Sequence, residues 1–82
     1  MEGDYLEIEV YGFKAKVYKD GKYYAGTVRE LHANTQATSL QELRKNLKEA
    51  VSLVFEDVLK NEKEWSKAIV KKVKASVIQN LA

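Results

Sequence analysis

The chain contains neither cysteine nor proline, and only one histidine and one tryptophan occur among its 82 residues. The absence of cysteine excludes disulfides and thiolate–metal sites, and it is typical of a reducing cytosol. The absence of proline excludes a proline-rich linker. From the length of 82 residues we expect one domain. A domain of this length buries only about 60–65% of its unfolded surface. We therefore expect it to gain stability by forming a homo-oligomer.

The sequence also lacks a long apolar run and a strong net charge. No apolar stretch approaches the ~20 residues that cross a membrane. The start of the chain, MEGDYLEIEV, is acidic where a secretory signal is basic, so we expect a cytoplasmic protein without a membrane partner. The net charge is +2, but acids collect in the first ten residues and lysines after residue 66. This separation indicates either two kinds of partner or an ordinary solvated surface.

Two alternating segments and a turn signal predict a β-meander. Residues 5–11 and 13–19 alternate apolar and polar side chains, with a turn at Gly12 between them. Asp20-Gly21 then predicts a hairpin with a two-residue type I′ turn. Centred there, the hairpin pairs Tyr18 with Tyr23 and Ala15 with Gly26. The small Ala15–Gly26 pair leaves room for a helix to approach the sheet.

The register of this hairpin gathers one apolar face. That face consists of Phe13, Ala15, Val17, Tyr24, Gly26 and Val28. A slip by one residue would send these side chains to opposite faces of the sheet. A short fourth strand is a candidate at residues 35–37.

Two helices are predicted after the strands. Ser39 and Glu42 form a capping box, and helical spacing of apolar residues then continues to about Lys60. Asn61 with Glu64 resembles a second cap, followed by a helix to the end of the chain. The predicted fold class is α+β, with a three-stranded antiparallel meander packed on a long amphipathic helix. Residues 1–60 form this α+β domain, and residues 61–82 form a basic C-terminal helix that belongs to the same domain or serves oligomerisation.

The predicted last helix carries more apolar side chains than one small sheet requires. Large aromatic and aliphatic side chains anchor protein interfaces. We therefore predict a subunit or partner interface at Trp65, Ile69, Val73 and Val77.

No constellation for catalysis or metal binding emerges from the sequence. His32 has no cysteine or spaced carboxylates for a metal site, so we interpret it as an exposed loop histidine. No GxSxG motif is present. Glu7 and Glu9 share one strand face and suit either Mg²⁺ binding or the solvated face of an edge strand. We predict a non-enzymatic protein without cofactor or metal.

Two patterns suggest nucleic acid as an alternative partner. Lys67, Lys71 and Lys74 follow i, i+4, i+7 spacing, which lines basic side chains along one helix face for phosphates or an acidic partner. No arginine lies in this strip, so bidentate reading of bases is not expected. Five tyrosines in the first 24 residues suggest base stacking, although half-buried strands also favour tyrosine.

An ordered set of short motifs between residues 20 and 50 resembles the N-terminal domain of HicB antitoxins. The matching residues are Asp20-Gly21, Tyr23, Ala25, Glu30-Leu31, Thr35-Gln36, Thr38-Ser39, Glu42, Asn46 and Glu49-Ala50. In the family these positions read as Y-x-A, P-E-L-P-G-C, T-Q-G-x-T/S and a helix with E-E-A, N and E-A. This chain replaces the prolines and glycine around E-L, and Ala37 stands where the family has glycine after T-Q.

The resemblance implies a degenerate ribonuclease H-like domain, in the order β-β-β-α-β or β-β-β-β-α, without nuclease carboxylates. It implies binding and neutralisation of a small mRNA-cleaving toxin of the HicA type. We predict that Glu7 and Glu9 contact the basic surface of such a toxin. Residues 61–82 are too few for the independent DNA-binding domain that family members commonly carry, so we expect an oligomerisation or docking element there.

Overall fold

The computed structural model describes residues 5–81 and has an α+β fold of two layers. Four strands form an antiparallel sheet in the order β1-β2-β3-β4, and two helices cover one of its faces. The strands are β1 (Leu6–Val10), β2 (Phe13–Asp20), β3 (Tyr23–Val28) and β4 (Ala33–Ala37). The helices are α1 (Leu40–Lys60) and α2 (Lys67–Leu81), and short 3-10 helices occupy Arg29–Leu31 and Glu62–Glu64. The predicted fold class is confirmed, and the candidate fourth strand is present and begins two residues earlier, at Ala33.

The β2–β3 hairpin has a different turn from the one predicted. Its loop is Gly21-Lys22 rather than Asp20-Gly21, because Asp20 pairs with Tyr23. Of the two loop residues only Gly21 has a positive φ, +62°, which is the requirement of a type II′ turn. A type I′ turn would have forced Asp20 into the left-handed region as well.

The new turn shifts the register by two residues and preserves the faces. Val17 lies opposite Gly26 rather than Tyr24, and Tyr18 lies opposite Ala25 rather than Tyr23. The predicted pairing placed Lys19 opposite another lysine, whereas its observed partner is Tyr24, with the ammonium 5.2 Å from the ring centroid. Like charges opposite one another destabilise a sheet, and an aromatic partner does not. Because strand side chains alternate with a period of two, an even shift leaves the predicted apolar face intact.

The type I′ turn occurs instead between β1 and β2. Tyr11 and Gly12 both have positive φ, +51° and +86°, between the paired residues Val10 and Phe13. A tyrosine in this conformation is unusual and requires support from its surroundings. Its ring packs against Phe55, with the centroids 6.0 Å apart, and its carbonyl oxygen accepts a hydrogen bond from Ser76 Oγ at 2.7 Å.

α1 lies across the sheet with its apolar stripe inward. Ser39 caps the helix as predicted, because its hydroxyl accepts a hydrogen bond from the amide of Glu42 at 3.1 Å. Gly26 makes the close approach possible, since a Cβ there would lie 3.0 Å from Leu47 Cδ1. The buried core contains Val10, Phe13, Ala15, Val17, Val28, Leu31, Ala33, Ala37, Leu43, Leu47, Val51, Phe55, Val58, Val70 and Val73.

The second helix begins later than the sequence predicted. Asn61 closes α1 rather than opening α2, and its amide donates to Asp57 Oδ1 at 2.9 Å. Ser66 is the residue that caps α2, because its hydroxyl accepts from the amide of Ile69 at 3.2 Å. Trp65 therefore lies in the connection between the helices and not on a helix. Val70 and Val73 join the core of residues 5–60, so the part of the chain after Asn61 shares that core.

We expect Gly26→Val to destabilise the fold by about 1–3 kcal/mol, because the added methyl groups overpack the site under Leu47. Leu47→Ala alone should cost about 2–5 kcal/mol through the cavity it leaves. The double variant should be less destabilised than the sum of the two, because the smaller residue makes room for valine. Urea unfolding of all four proteins measures this coupling. Strictly additive losses of unfolding free energy would show that the side chains at positions 26 and 47 do not compete for the same volume.

We expect Ser76→Ala to cost about 1 kcal/mol of unfolding free energy, because the Tyr11 carbonyl loses a bond that ties α2 to the turn. Ser52→Ala is the matched control, since Ser52 Oγ donates at 2.8 Å to Lys48 within its own exposed helical turn. Its substitution should change the unfolding free energy by less than about 0.5 kcal/mol. Thermal and urea unfolding compare the two variants, and equal losses would contradict the tethering role of Ser76.

Candidate functional site

One face of the sheet is not covered by either helix. We call it the open sheet face; it consists of Glu7, Glu9, Lys14, Lys16, Tyr18, Asp20, Tyr23, Ala25, Thr27, Asn34 and Gln36. These side chains alternate with the buried residues of the same strands, which face the helices. Three carboxylates stand against two ammonium groups, so the formal charges of this face nearly cancel.

Glu7 and Glu9 lie on the open sheet face but do not form an isolated acidic pair. Glu7 is opposite Lys16 and Glu9 is opposite Lys14 in the β1–β2 register. Opposite charges across a strand pair contribute modestly to sheet stability. Among the residues that the structure describes, no group of three or more acidic, histidine or cysteine side chains is placed to hold a metal ion. The predicted toxin contact of the two glutamates stays a prediction.

Exposed tyrosines dominate the apolar part of the open sheet face. Tyr18 is 38% exposed and Tyr23 45% exposed, and Tyr5 beside them is 45% exposed. The rings of Tyr5 and Tyr18 are 5.9 Å apart, and Lys16 Nζ lies 4.8 Å from the Tyr5 centroid. Next to Tyr18 is a shallow depression, lined by Ala25, Gly26, Thr27, Asn34, Thr35 and Gln36. Together they present aromatic surface beside short polar side chains.

The remaining two tyrosines of the predicted stacking set lie elsewhere. Tyr11 packs in the β1–β2 turn against Phe55, and Tyr24 packs toward the helices under Lys19. The five tyrosines therefore do not form one stacking platform, and three of them remain accessible on one side.

A second candidate surface is a cleft beside the start of α2. We call it the Trp65 cleft; Trp65 and Val70 line it together with four lysines, Lys63, Lys67, Lys71 and Lys74. The three lysines predicted as a strip do lie together here. Lys74 also pairs with Glu62, which borders the cleft, at 3.2 Å. Both side chains of that pair are about half exposed, so the pair is weak and readily exchanged.

Lys72 does not belong to this cleft. Its ammonium lies 4.4 Å from the ring centroid of Phe13 and 3.3 Å from Glu30 Oε1. It covers the aromatic core next to the β1–β2 turn and is occupied by intramolecular contacts. The basic side of α2 is therefore divided between a structural lysine and lysines that face solvent.

Trp65 is held in place by the end of α1. Its indole N–H donates to Asp57 Oδ2 at 3.2 Å, while Asn61 donates to the other carboxylate oxygen. The ring of His32, which has a left-handed backbone with φ +55°, lies 6.3 Å away on centroids. His32 is exposed, as predicted.

The predicted interface residues of α2 divide by burial. Val73 has no accessible surface and packs inside its own chain, whereas Trp65, Ile69 and Val77 are half-buried against the core. Any contact with a partner at this place would be made by those three and not by Val73. Ile78 of α2 is a large apolar residue that is 68% accessible, and the interface prediction omitted it. Oligomerisation stays a prediction.

Sequence reasoning also missed Lys63 and Val70 as lining residues of the cleft. The unexpected 3-10 helix Glu62–Glu64 brings Lys63 beside α2, and no periodicity of the sequence marks that turn. Lys63 does precede Lys67 by four residues, and because the predicted helix began after Asn61, this spacing was the signal that could have added Lys63 to the strip.

Comparisons with protein-family models, with curated proteins and with solved structures found no match to this chain. Neither α1 nor α2, the two α-helices of residues 5–81, combines the length and hydrophobicity required to span a bilayer.

We expect Lys72→Ala to lower the unfolding free energy by about 1 kcal/mol, because it removes both the contact with the Phe13 ring and the pair with Glu30. Lys71→Ala, one residue earlier on the exposed side, should change it by less than about 0.5 kcal/mol. Urea unfolding at low salt compares the two. An equal effect of both substitutions would mean that Lys72 has no special structural role.

Proposed function

We propose that this protein is a non-enzymatic, HicB-like partner-binding domain that neutralises a small mRNA-cleaving toxin of the HicA type. The observation that carries the proposal is the open sheet face, an uncovered surface with exposed tyrosines and nearly balanced charge. Protein interfaces are enriched in tyrosine, and their centres are depleted in charged residues. A nucleic-acid site would instead require an excess of positive charge.

The residues that carry the family resemblance support this proposal through their positions. Ala25 and Gln36, from the Y-x-A and T-Q motifs, are directly opposite one another on the open sheet face. Asn46 of the helix motif donates to the carbonyl oxygen of Gln36 at 3.4 Å and so joins the edge of β4 to α1. Thr35 lines the depression beside them. The motif residues thus converge on one part of the sheet although they are separated along the chain.

Other residues of the resemblance have structural roles. Leu31 is buried in the core, and Ser39 caps α1 at the amide of Glu42. These positions favour the same order of strands followed by a helix, one of the two orders that the resemblance implies. The residues left to recognise a partner are those of the open sheet face.

Glu7 and Glu9 suit the steering of a basic ribonuclease. They lie on β1, an edge strand of the sheet formed by residues 5–81, and both are exposed on the open sheet face. Complementary charge at the rim of an interface mainly accelerates association and confers specificity. Their lysine partners across the strand leave little net field, so we assign them a secondary role in affinity.

The test asks whether the reading frame next to this one encodes a small basic protein, which is then co-expressed with this chain and purified through a tag on one of the two. We expect a stable complex in size-exclusion chromatography and loss of the partner's mRNA cleavage when it is bound. Absence of association would refute the proposal.

Ala25→Arg should weaken the complex at least about tenfold, because it places a long charged side chain at the centre of the open sheet face. Ala68→Arg, on the exposed side of α2, is the matched control and should change the affinity less than about twofold. Titration calorimetry gives both affinities, and circular dichroism verifies that each variant is folded. Full affinity of Ala25→Arg would show that the partner binds elsewhere.

The role of the glutamates is separable by kinetics. Glu7→Gln combined with Glu9→Gln should slow association a few-fold at low salt and leave dissociation nearly unchanged. Glu56→Gln on the exposed side of α1 is the control. Surface plasmon resonance at two salt concentrations resolves the rates, and unaltered association in the double variant would remove these residues from the interface.

A further inference from the structure

We infer that the Trp65 cleft binds a segment of single-stranded nucleic acid, with its phosphates on the lysines and one base against the apolar floor. This site is separate from the open sheet face and does not depend on the function proposed for that face. Three features of the cleft favour this ligand: its local charge, the spacing of its lysines and the hydrogen bond that holds Trp65.

The positive charge of the molecule is concentrated at this cleft. Among the residues that line it, four ammonium groups stand against the carboxylate of Glu62, a local balance of +3, whereas the whole chain carries +2. The Asp57 carboxylate, which accepts from the Trp65 indole, is not among the lining residues. Phosphate groups are attracted to such a concentration and release condensed counterions when they bind. The Lys74–Glu62 pair, being half exposed, opens readily to admit a phosphate.

The three lysines of α2 form a line along one side of the helix. At a rise of 1.5 Å per residue, Lys67, Lys71 and Lys74 are separated by about 6 and 4.5 Å along the helix axis. A polynucleotide backbone presents a regular line of charges to such a strip, whereas an acidic peptide has no fixed spacing of carboxylates. The lysines are point charges without the planar fork of arginine, so they favour backbone contacts without sequence preference.

The floor of the cleft is a fixed aromatic surface. The indole N–H of Trp65 donates to Asp57, so its polar atom has a partner within the protein, and the His32 ring lies 6.3 Å from the indole ring. Trp65 and Val70 are the apolar residues that line the cleft. Proteins that bind single strands combine a basic groove with an aromatic side chain on which a base stacks. The cleft provides both elements within about 510 Å³, a volume in the range of small-ligand sites.

The only tryptophan of the chain reports directly on this site. We expect a twelve-nucleotide oligouridylate to quench its emission during titration. With three lysine–phosphate contacts, log affinity should fall with log salt at a slope of about −2, so that binding weakens about 20-fold between 50 and 200 mM salt. No change in emission and no binding at 50 mM salt would overturn the inference.

Lys67→Gln combined with Lys71→Gln should weaken binding at least about tenfold and reduce the slope by about 1.4. Lys45→Gln combined with Lys48→Gln removes the same charge from exposed positions of α1 and should change affinity less than about twofold. Equal losses in both double variants would indicate general attraction by net charge and overturn the site.

Two further measurements identify the class of ligand. A polyglutamate peptide of equal charge should not compete for the cleft, and tighter binding of that peptide than of oligouridylate would replace the inference with an acidic protein partner. A duplex of the same length should bind more weakly than the single strand, and a preference for the duplex would also overturn it. The lysine variants leave the open sheet face unchanged, so failure here and failure of toxin binding are distinguishable.

Discussion

Leu47 lies against the backbone of Gly26, and the distance of α1 from the sheet depends on this contact. A Cβ at position 26 would come within 3.0 Å of the leucine methyl group, so a side chain there would push the helix outward. Close packing lets Leu43, Leu47 and Val51 lose all their accessible surface. For a domain of this size, such complete burial is the main favourable contribution to folding.

The position of α1 determines what the rest of the chain can do. Its last turns place Phe55 against Phe13 at 5.6 Å and leave Asp57 available to bind Trp65. α2 then docks at the same end through Ser76 and Lys72. Both helices pack on the same face of the sheet. Neither helix of residues 5–81 covers the opposite face of the sheet.

Much of this arrangement is predictable from the sequence. The two errors, in the register of the β2–β3 hairpin and in the start of α2, do not change which face of the sheet each strand residue lies on. The predicted register of the hairpin differs from the observed one by two residues. Asp20-Gly21 and Gly21-Lys22 are both acceptable turns, and only the cross-strand partners distinguish them. Because the difference in register is an even number of residues, Phe13 and Val28 still face the helices. The capped start of α1 was predictable because a local hydrogen bond from Ser39 decides it. The α+β class and the order of its elements follow from such local signals.

Tertiary contacts decide what the sequence did not reveal. Phe55 contacts Tyr11 and Phe13, more than 40 positions earlier in the chain, and no local pattern of the sequence indicates these contacts. The start of α2 was placed too early because Asn61 resembles an N-cap, whereas its amide serves Asp57. That error placed Trp65 on a helix and hid the Trp65 cleft. The strip of three lysines was recognisable, but the position of Trp65 beside it was not.

The functions proposed for the two surfaces follow from how charge is divided between the layers. In the sheet, each glutamate of β1 is opposite a lysine of β2, so the open sheet face has almost no net field and exposes tyrosine rings. In α2, successive side chains turn by about 100°, which directs Lys72 toward Phe13 and Glu30 while Lys71 faces solvent. Only lysines without a core contact remain for an external ligand, and they all border Trp65. A neutral aromatic surface selects a protein by shape, and a basic aromatic cleft selects a polyanion by charge. A single small core can therefore support both surfaces without either one compromising the other.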